Sequence, residues 1–192
     1  MSAANYLKAV ASRRTIYALK PELPSGVNIN DVQAVVQAII RDTPTSFNSQ
    51  VNRAIILTGK AHKEVWNHVV DSIPGESGKR RPQSARDEAY GSVIFFTDDV
   101  ITEQLQAKFA AFAAAFPQFA DHSSGAAQIH TWTALRELGL GAHLQHYNGY
   151  VKAALPKEIP TTWNVHAQLV FGVPAGEPGE KIFDENPVKI YS

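Results

Sequence analysis

Two short apolar runs constrain this chain most tightly: Ala54-Ile-Ile-Leu57, and Val-Ile-Phe-Phe following Ser92. A strand with one wet face alternates apolar and polar residues, whereas a continuous apolar run needs cover on both faces. The sequence supplies that cover as amphipathic helices. Val32, Val35, Val36, Ile39 and Ile40 form one stripe at helical spacing, with Asn30 placed to cap it and Gln33 to reach back. Val65, Trp66, Val69, Val70 and Ile73 form a second, over residues 61–73, ended by Pro74-Gly75. Further helices are predicted from a Ser2 cap to the Arg13-Arg14 pair, over 102–116, over 125–138 and over 147–155. Residues 164–172 alternate as a strand, and 188–191 form a candidate for one more. The basic stretch Lys79-Arg-Arg-Pro82 is predicted as a loop. Helices interleaved with strands around a small sheet make an α+β or α/β sandwich, and 192 residues without a flexible linker make one domain, 1–192.

Composition removes several functions. Eighteen basic residues balance eighteen acidic ones, so no net field draws the chain to nucleic acid or an anionic membrane. No run of about 18 apolar residues exists to span a bilayer. With no cysteine there are no disulfides, thiolate metal sites or cysteine nucleophiles. Asn5, Lys8 and the arginine pair interrupt any secretory core at the N-terminus. A cytoplasmic protein, with the nucleus as a second compartment, is expected. Dinucleotide, P-loop, zinc-protease and serine-hydrolase signatures are all missing. His143 and His146 have the spacing to share a helical face, but no third ligand stands near, so they, His62 and His68 are expected to make ordinary polar contacts rather than a metal site.

Three separated segments carry the remaining chemistry. Arg13-Arg14-Thr15, at a helix end, offers two permanent cations and a hydroxyl, suited to a phosphate and an adjoining polyol, or simply to a solvated helix end. The loop from Pro44 to Gln50 offers hydroxyls and amides that can read the edge of a heterocycle, or form an ordinary turn. Leu138-Gly-Leu-Gly-Ala142 lets backbone N–H groups approach a flat ligand closely, or caps a helix. A different reading, a ligand carrier, draws on Phe95, Phe96, Phe109, Phe112, Phe116 and Phe119, although aromatic stripes of this kind usually form core.

In order along the chain, R-R-T-I-Y-A-L-K-P-E-L-P, P-T-S-F-N-S-Q-V-N-R-A, R-D-E-A-Y-G-S-V-I-F-F-T-D, G-L-G-A-H-L-Q-H-Y-N and F-G-V-P-A-G-E-P resemble the flavin-dependent nitroreductase superfamily, in particular its small fungal members of the fatty-acid-repression type and their bacterial relatives. The resemblance implies an α+β sandwich with a mainly antiparallel central sheet flanked by helices, assembled as an interlocked homodimer with FMN at the interface. It implies electron transfer from NADH or NADPH through FMN to nitroaromatic, quinone or similar electrophilic small molecules by a ping-pong mechanism, with no acid or base catalyst from the protein. The alternative is a non-catalytic flavin-binding regulator in lipid or oxidative-stress signalling. Carried across residue by residue, Arg13, Arg14, Thr15 and Lys181 would hold the phosphate, ribityl chain and pyrimidine edge. Ser46, Asn48 and Gln50 would approach from the partner subunit, and Leu140 and Gly141 would lie against the isoalloxazine. Arg14 is the expected cation beside the reduced ring, and Lys79-Arg80-Arg81 could meet the donor's phosphates. Tyr17 stands where many relatives carry an arginine, and a late arginine is missing around Asn186.

Overall fold

The computed structural model describes residues 2–192. Seven helices and five strands follow in the order α1 (Ala3–Ser12), β1 (Leu19–Lys20), α2 (Ile29–Asp42), β2 (Asn52–Thr58), α3 (Gly59–Ser72), α4 (Glu76–Glu88), β3 (Gly91–Asp98), α5 (Asp99–Lys108), α6 (Phe116–Glu137), β4 (Gly141–Gln145), α7 (Asn148–Ala154) and β5 (Trp163–Pro174). Short 3-10 turns occupy Ser46–Asn48 and Ala110–Ala115.

The strands make one antiparallel sheet with β5 at its heart. One edge of β5 pairs with β3, which pairs in turn with β2. Its other edge pairs first with β4 and then, at Val173 and Pro174, with β1. The sheet is covered on both faces, as the apolar runs require. Val93 and Phe95 of β3 join Leu169 and Phe171 of β5 under α2 and α6, packing with Val32, Val36, Trp132 and Leu135. The intervening Ile94 and Phe96 turn to the opposite face, under α3, α4 and α7, with Val65, Trp66, Ala85 and Val151. The period of two in a strand therefore sends neighbouring apolar residues into different core layers. The β2 run is less enclosed, because β2 is the edge strand and residues 53–56 are only partly buried.

Several boundaries depart from the sequence expectations for identifiable reasons. The cap of α2 is Asn28, not Asn30: Asn28 Oδ1 accepts from the Asn30 and Asp31 N–H groups at 2.8 and 3.3 Å, and Asp31 Oδ2 accepts from the Asn28 N–H at 2.8 Å. Residues 79–82 are not a loop but the middle of α4, where burial of Pro82 and Ala85 outweighs the hydrogen bond that proline cannot donate. The helix expected over 102–116 divides into α5 and a 3-10 turn. The next helix starts at Phe116 rather than Gly125. Ser123 and Ser124 do not break it, because Ser123 Oγ donates to the Ala120 carbonyl at 3.0 Å and Ser124 Oγ accepts from the Gln128 amide at 3.0 Å. His143 lies in a strand, not a helix, so it is buried while His146 is exposed. Residues 188–191 form no strand; the chain from 175 onward has no regular structure.

Candidate active site

The end of α1 and the first extended segment build the site. Ser2 caps α1 by accepting from the Asn5 N–H, and the helix stops at Arg13, whose N–H bonds the Ala9 carbonyl at 3.3 Å. The chain then runs straight beside β4: Thr15 pairs in parallel with Ala142, and the Ile16 N–H donates to the Ala142 carbonyl at 3.0 Å. Ile16 points into the core, so alternation turns Thr15 and Tyr17 the other way.

A cavity of about 390 Å³ opens there, lined by Arg13, Arg14, Thr15 and Tyr17 and, from the C-terminal segment, by Gly179, Glu180 and Lys181. The three cations expected at the phosphate site, Arg13, Arg14 and Lys181, thus meet one hydroxyl, with Glu180 beside them. The Arg13 guanidinium lies over the Trp132 ring, 4.4 Å from its centroid, and its Nε is buried with no hydrogen-bond partner among the described residues. Burial, with the charge of Arg14, holds its pKa below the ordinary arginine value. Arg14 Nη2 donates to the Gly179 carbonyl and so ties the C-terminal segment to the site.

Tyr17 is also a wall of a second cavity, of about 400 Å³, lined with Ala18 and with Arg80, Arg81, Gln83, Ser84, Asp87 and Glu88 of α4. The two spaces therefore adjoin at one side chain. The Arg81 guanidinium lies over the Tyr17 ring, 3.8 Å from the centroid. Beside Tyr17 lies His143, ring centroids 5.3 Å apart. The Gln145 amide donates to His143 Nδ1 at 3.0 Å, which leaves the proton on Nε2, a buried atom with no partner. Burial, reinforced by Arg81, pushes the imidazole down to about 3, so it is neutral at physiological pH.

The expected site residues fall into separate groups. Arg13, Arg14, Thr15 and Lys181 share the first cavity. Leu140 and Gly141 line neither cavity. Leu140 is 1% exposed in the core, and a Cβ on Gly141 would sit 3.0 Å from Leu19 Cδ2 and 3.2 Å from Pro174 Cγ, so its bareness already serves chain packing. Ser46, Asn48 and Gln50 belong to a protruding loop, where Phe47, Asn48 and Gln50 all have φ between 50° and 57°. Thr45 Oγ1 holds this turn by accepting from the Gln50 N–H at 2.9 Å, and Phe47 rests on Phe109, 4.6 Å between centroids. Ser46 lines a small cleft with Phe116 and Phe119, apart from both cavities. Of the basic triplet in α4, Lys79 pairs with Glu76 at 3.0 Å, while Arg80 and Arg81 enter the second cavity. Sequence reasoning did not assign Tyr17, Gln83 or Ser84 to the site. Alternation from Thr15 would have found Tyr17; the residues of α4 were hidden by reading Pro82 as a loop.

The nitroreductase family model matches residues 10–177, from the end of α1 through β5. The chain belongs to the nitroreductase family. Its relatives include HBN1 of Saccharomyces cerevisiae, provisionally named a nitroreductase, 65% identical over 98% of both chains. Among solved nitroreductases, one from Saccharomyces cerevisiae superposes with a TM-score of 0.87 at 59% identity, covering 89% of this chain and 96% of that one. The Lactococcus lactis nitroreductase CinD, solved with chloramphenicol, superposes with a TM-score of 0.85 at 37% identity over 94% and 95% of the two chains. A nitroreductase-fold protein of Desulfovibrio desulfuricans, solved with FMN, shares the fold at 17% identity and a TM-score of 0.65 over 95% and 97%. Membership of the nitroreductase family places the chain among oxidoreductases, with the α+β sandwich of that family.

Proposed function

We propose that this protein is an FMN-dependent oxidoreductase, taking electrons from NADH or NADPH and passing them to a nitroaromatic, quinone or similar electrophile. One observation carries the reading: two cavities meet at Tyr17, the first crowded with Arg13, Arg14, Lys181 and a threonine hydroxyl, the second lined by side chains able to read a polar ring edge. Each has the size of a small-molecule subsite. The unpartnered Arg13 Nε is a donor in want of an anion. A phosphate on Arg13, Arg14 and Lys181, with a polyol along Thr15 and a ring beyond Tyr17, uses every one of these features. CinD's capture of chloramphenicol, a nitroaromatic, supports that acceptor class.

FMN, when bound, would supply the two-electron chemistry, and the reading takes donor and acceptor to be served in turn, in ping-pong order. The protein's part is to bind, orient and set charge. Arg13 and Arg14 would neutralise the phosphate, and the stack of Arg13 on Trp132 holds the first of these charges in place. Gln83 and Ser84 can donate to and accept from a pyrimidine edge. Ser46, Asn48 and Gln50 reach a flavin only from a second copy, so the reading includes a homodimer. Supporting this, Ile182, Phe183, Val188, Ile190 and Tyr191 are all at least 76% exposed, an apolar arm with nothing of its own chain to cover it.

The deciding experiment is the visible spectrum of the purified protein after incubation with FMN and desalting, before and after anaerobic NADH. The flavin band is expected to persist, to bleach with NADH and to return when a nitroaromatic is added. A protein that keeps FMN but never bleaches with NADH or NADPH is the regulator instead, and one that keeps no FMN refutes both.

A further inference from the structure

We propose a second activity, independent of any flavin: hydrolysis of small cationic esters by Thr97, with His166 as its general base and Asp121 orienting that base, at a separate cavity of about 230 Å³. No motif announces the group, because its parts come from β3, β5 and α6. Hydroxyl, imidazole and carboxylate are recognised as a catalytic set by geometry and roles, not by order in the chain. Thr97 Oγ1 lies 2.7 Å from His166 Nε2. Asp121 Oδ1 stands 3.6 Å from the other ring nitrogen, Nδ1, and draws the proton to it, so the hydroxyl donates to Nε2. Burial holds the pKa of His166 below the ordinary histidine value, against the opposing pull of Asp121 and Asp99, and leaves the ring a free base at neutral pH.

Strand register supplies the remaining parts. Thr97 is paired with Asn52 of β2 on one side and Asn164 of β5 on the other, and directly opposed residues share a face of the sheet. Asn52 Oδ1 accepts from Ser123 Oγ at 3.3 Å, which leaves its Nδ2, buried and without a partner among the described residues, as a donor on the strand beside Thr97. Thr97 and Asn164 line the cavity with Asp99, Glu103 and Asp121. Three carboxylates, with no lysine or arginine among the described lining residues, favour a substrate that carries an ammonium group. The carboxylates belong to α5 and α6 and the amide donors to the sheet, so a cation held at the helices leaves the acyl carbonyl toward the strands. Thr97 is only 3% exposed, which restricts the acyl group to one of about acetyl size.

The reaction balances without an external oxidant or reductant. Thr97 Oγ1 attacks the ester carbonyl carbon as its proton passes to His166 Nε2, and the carbonyl oxygen takes the negative charge beside the asparagine amides. The carbonyl re-forms, the bond to the leaving alcohol breaks, and His166 returns the proton to that alcohol. Water then attacks the acyl group on Thr97 and gives its proton to His166, which passes it to Thr97 Oγ1 as the acid leaves. The sum is ester plus water to acid plus alcohol.

The probe is acetylthiocholine, its thiol product read with an aromatic disulfide; a chain without cysteine gives that reagent no background. The full-length protein is expected to hydrolyse it with saturation kinetics and, quenched in acid and mapped by mass spectrometry, to carry an acetyl group on Thr97. The carbon isostere, with a tert-butyl group in place of the trimethylammonium, should show a KM at least about tenfold higher. Thr97→Val and His166→Gln should each lower kcat at least about a hundredfold, while Thr97→Ser should retain it. Asp121→Asn should lower kcat about tenfold or more, whereas Glu103→Gln should raise KM alone. Hydrolysis no faster than with heat-denatured protein, no acetyl group on Thr97, or full activity in Thr97→Val or His166→Gln overturns the proposal. If Thr97→Val fails to fold, as read by thermal unfolding, the acetyl mapping of the wild type and His166→Gln decide. A wild type that keeps no FMN yet hydrolyses the ester refutes the flavin reading and supports this one.

Discussion

Arg13 and Arg14 look alike in the sequence but are held differently, Arg13 by an indole and Arg14 by a carbonyl. Both remain near one cavity, and hydrogen bonds to charged groups contribute about 1.5–3 kcal/mol each. The double substitution Arg13→Ala, Arg14→Ala is therefore expected to weaken FMN binding at least about a hundredfold, read as flavin released on desalting. His62 carries a different burden. Trp66 Nε1 donates to Ser92 Oγ at 3.0 Å, Ser92 donates to His62 Nδ1 at 3.2 Å, and His62 Nε2 donates to the Ala85 carbonyl at 2.8 Å. This relay ties α3, β3 and α4 together and leaves the ring no use as a ligand. Burial pushes its pKa down to about 4 from the ordinary 6.5, so the unfolded chain takes up a proton that the folded one refuses. Stability is therefore complete above pH 6.5 and falls as the pH drops from 6.5 toward 4, by up to about 3 kcal/mol from this residue. His143 adds to the loss in the same direction. Urea unfolding at pH 7 and pH 4.5 is expected to give this difference. His62→Leu should shrink it while lowering stability at pH 7 by about 2–4 kcal/mol, since two buried partners lose their bonds.

Among the elements, the close approach of β1 to β5 positions Tyr17. A Cβ on Gly172 would run into the Lys20 carbonyl oxygen and lie 3.3 Å from the Tyr90 nitrogen. Backbone cannot step aside as a side chain can, so Gly172→Ala is expected to cost about 1–3 kcal/mol and to loosen FMN as well, measured by thermal unfolding and by flavin titration. How legible an element was in the sequence depended on what holds it. β3 was plain because both its faces are apolar, and α3 because its stripe is unbroken. β4 was not, since its His143 and Gln145 look polar until they are seen paired with each other, the imidazole buried and the amide partly buried beside β5. α4 was obscured by Pro82 and a run of charges, although packing against α3 decides its form. The site followed the same rule. The contiguous Arg13-Arg14-Thr15 and the basic triplet at 79–81 could be picked out from sequence as candidates, whereas Tyr17, Gln83 and Ser84 join them only through the fold.

For the whole molecule, the apolar C-terminal arm is the strongest argument for a second copy. Burying each such side chain contributes about 1.5–3 kcal/mol. Replacing Ile182, Phe183 and Ile190 together by serine is therefore expected to weaken self-association by about three orders of magnitude or more. Sedimentation velocity across a concentration series would read it, and a wild type that stays monomeric throughout would remove the dimer from the proposal. The place of β5 has a consequence of another kind. The strand that joins β1, β3 and β4 is the last of the five to be synthesised. Until residue 174 has left the ribosome, β3 has an open edge and β4 has no neighbouring strand of the sheet. Nascent chains of this protein must therefore wait, their hydrophobic layers half assembled, and are exposed to aggregation for longer than a chain whose hub is made first.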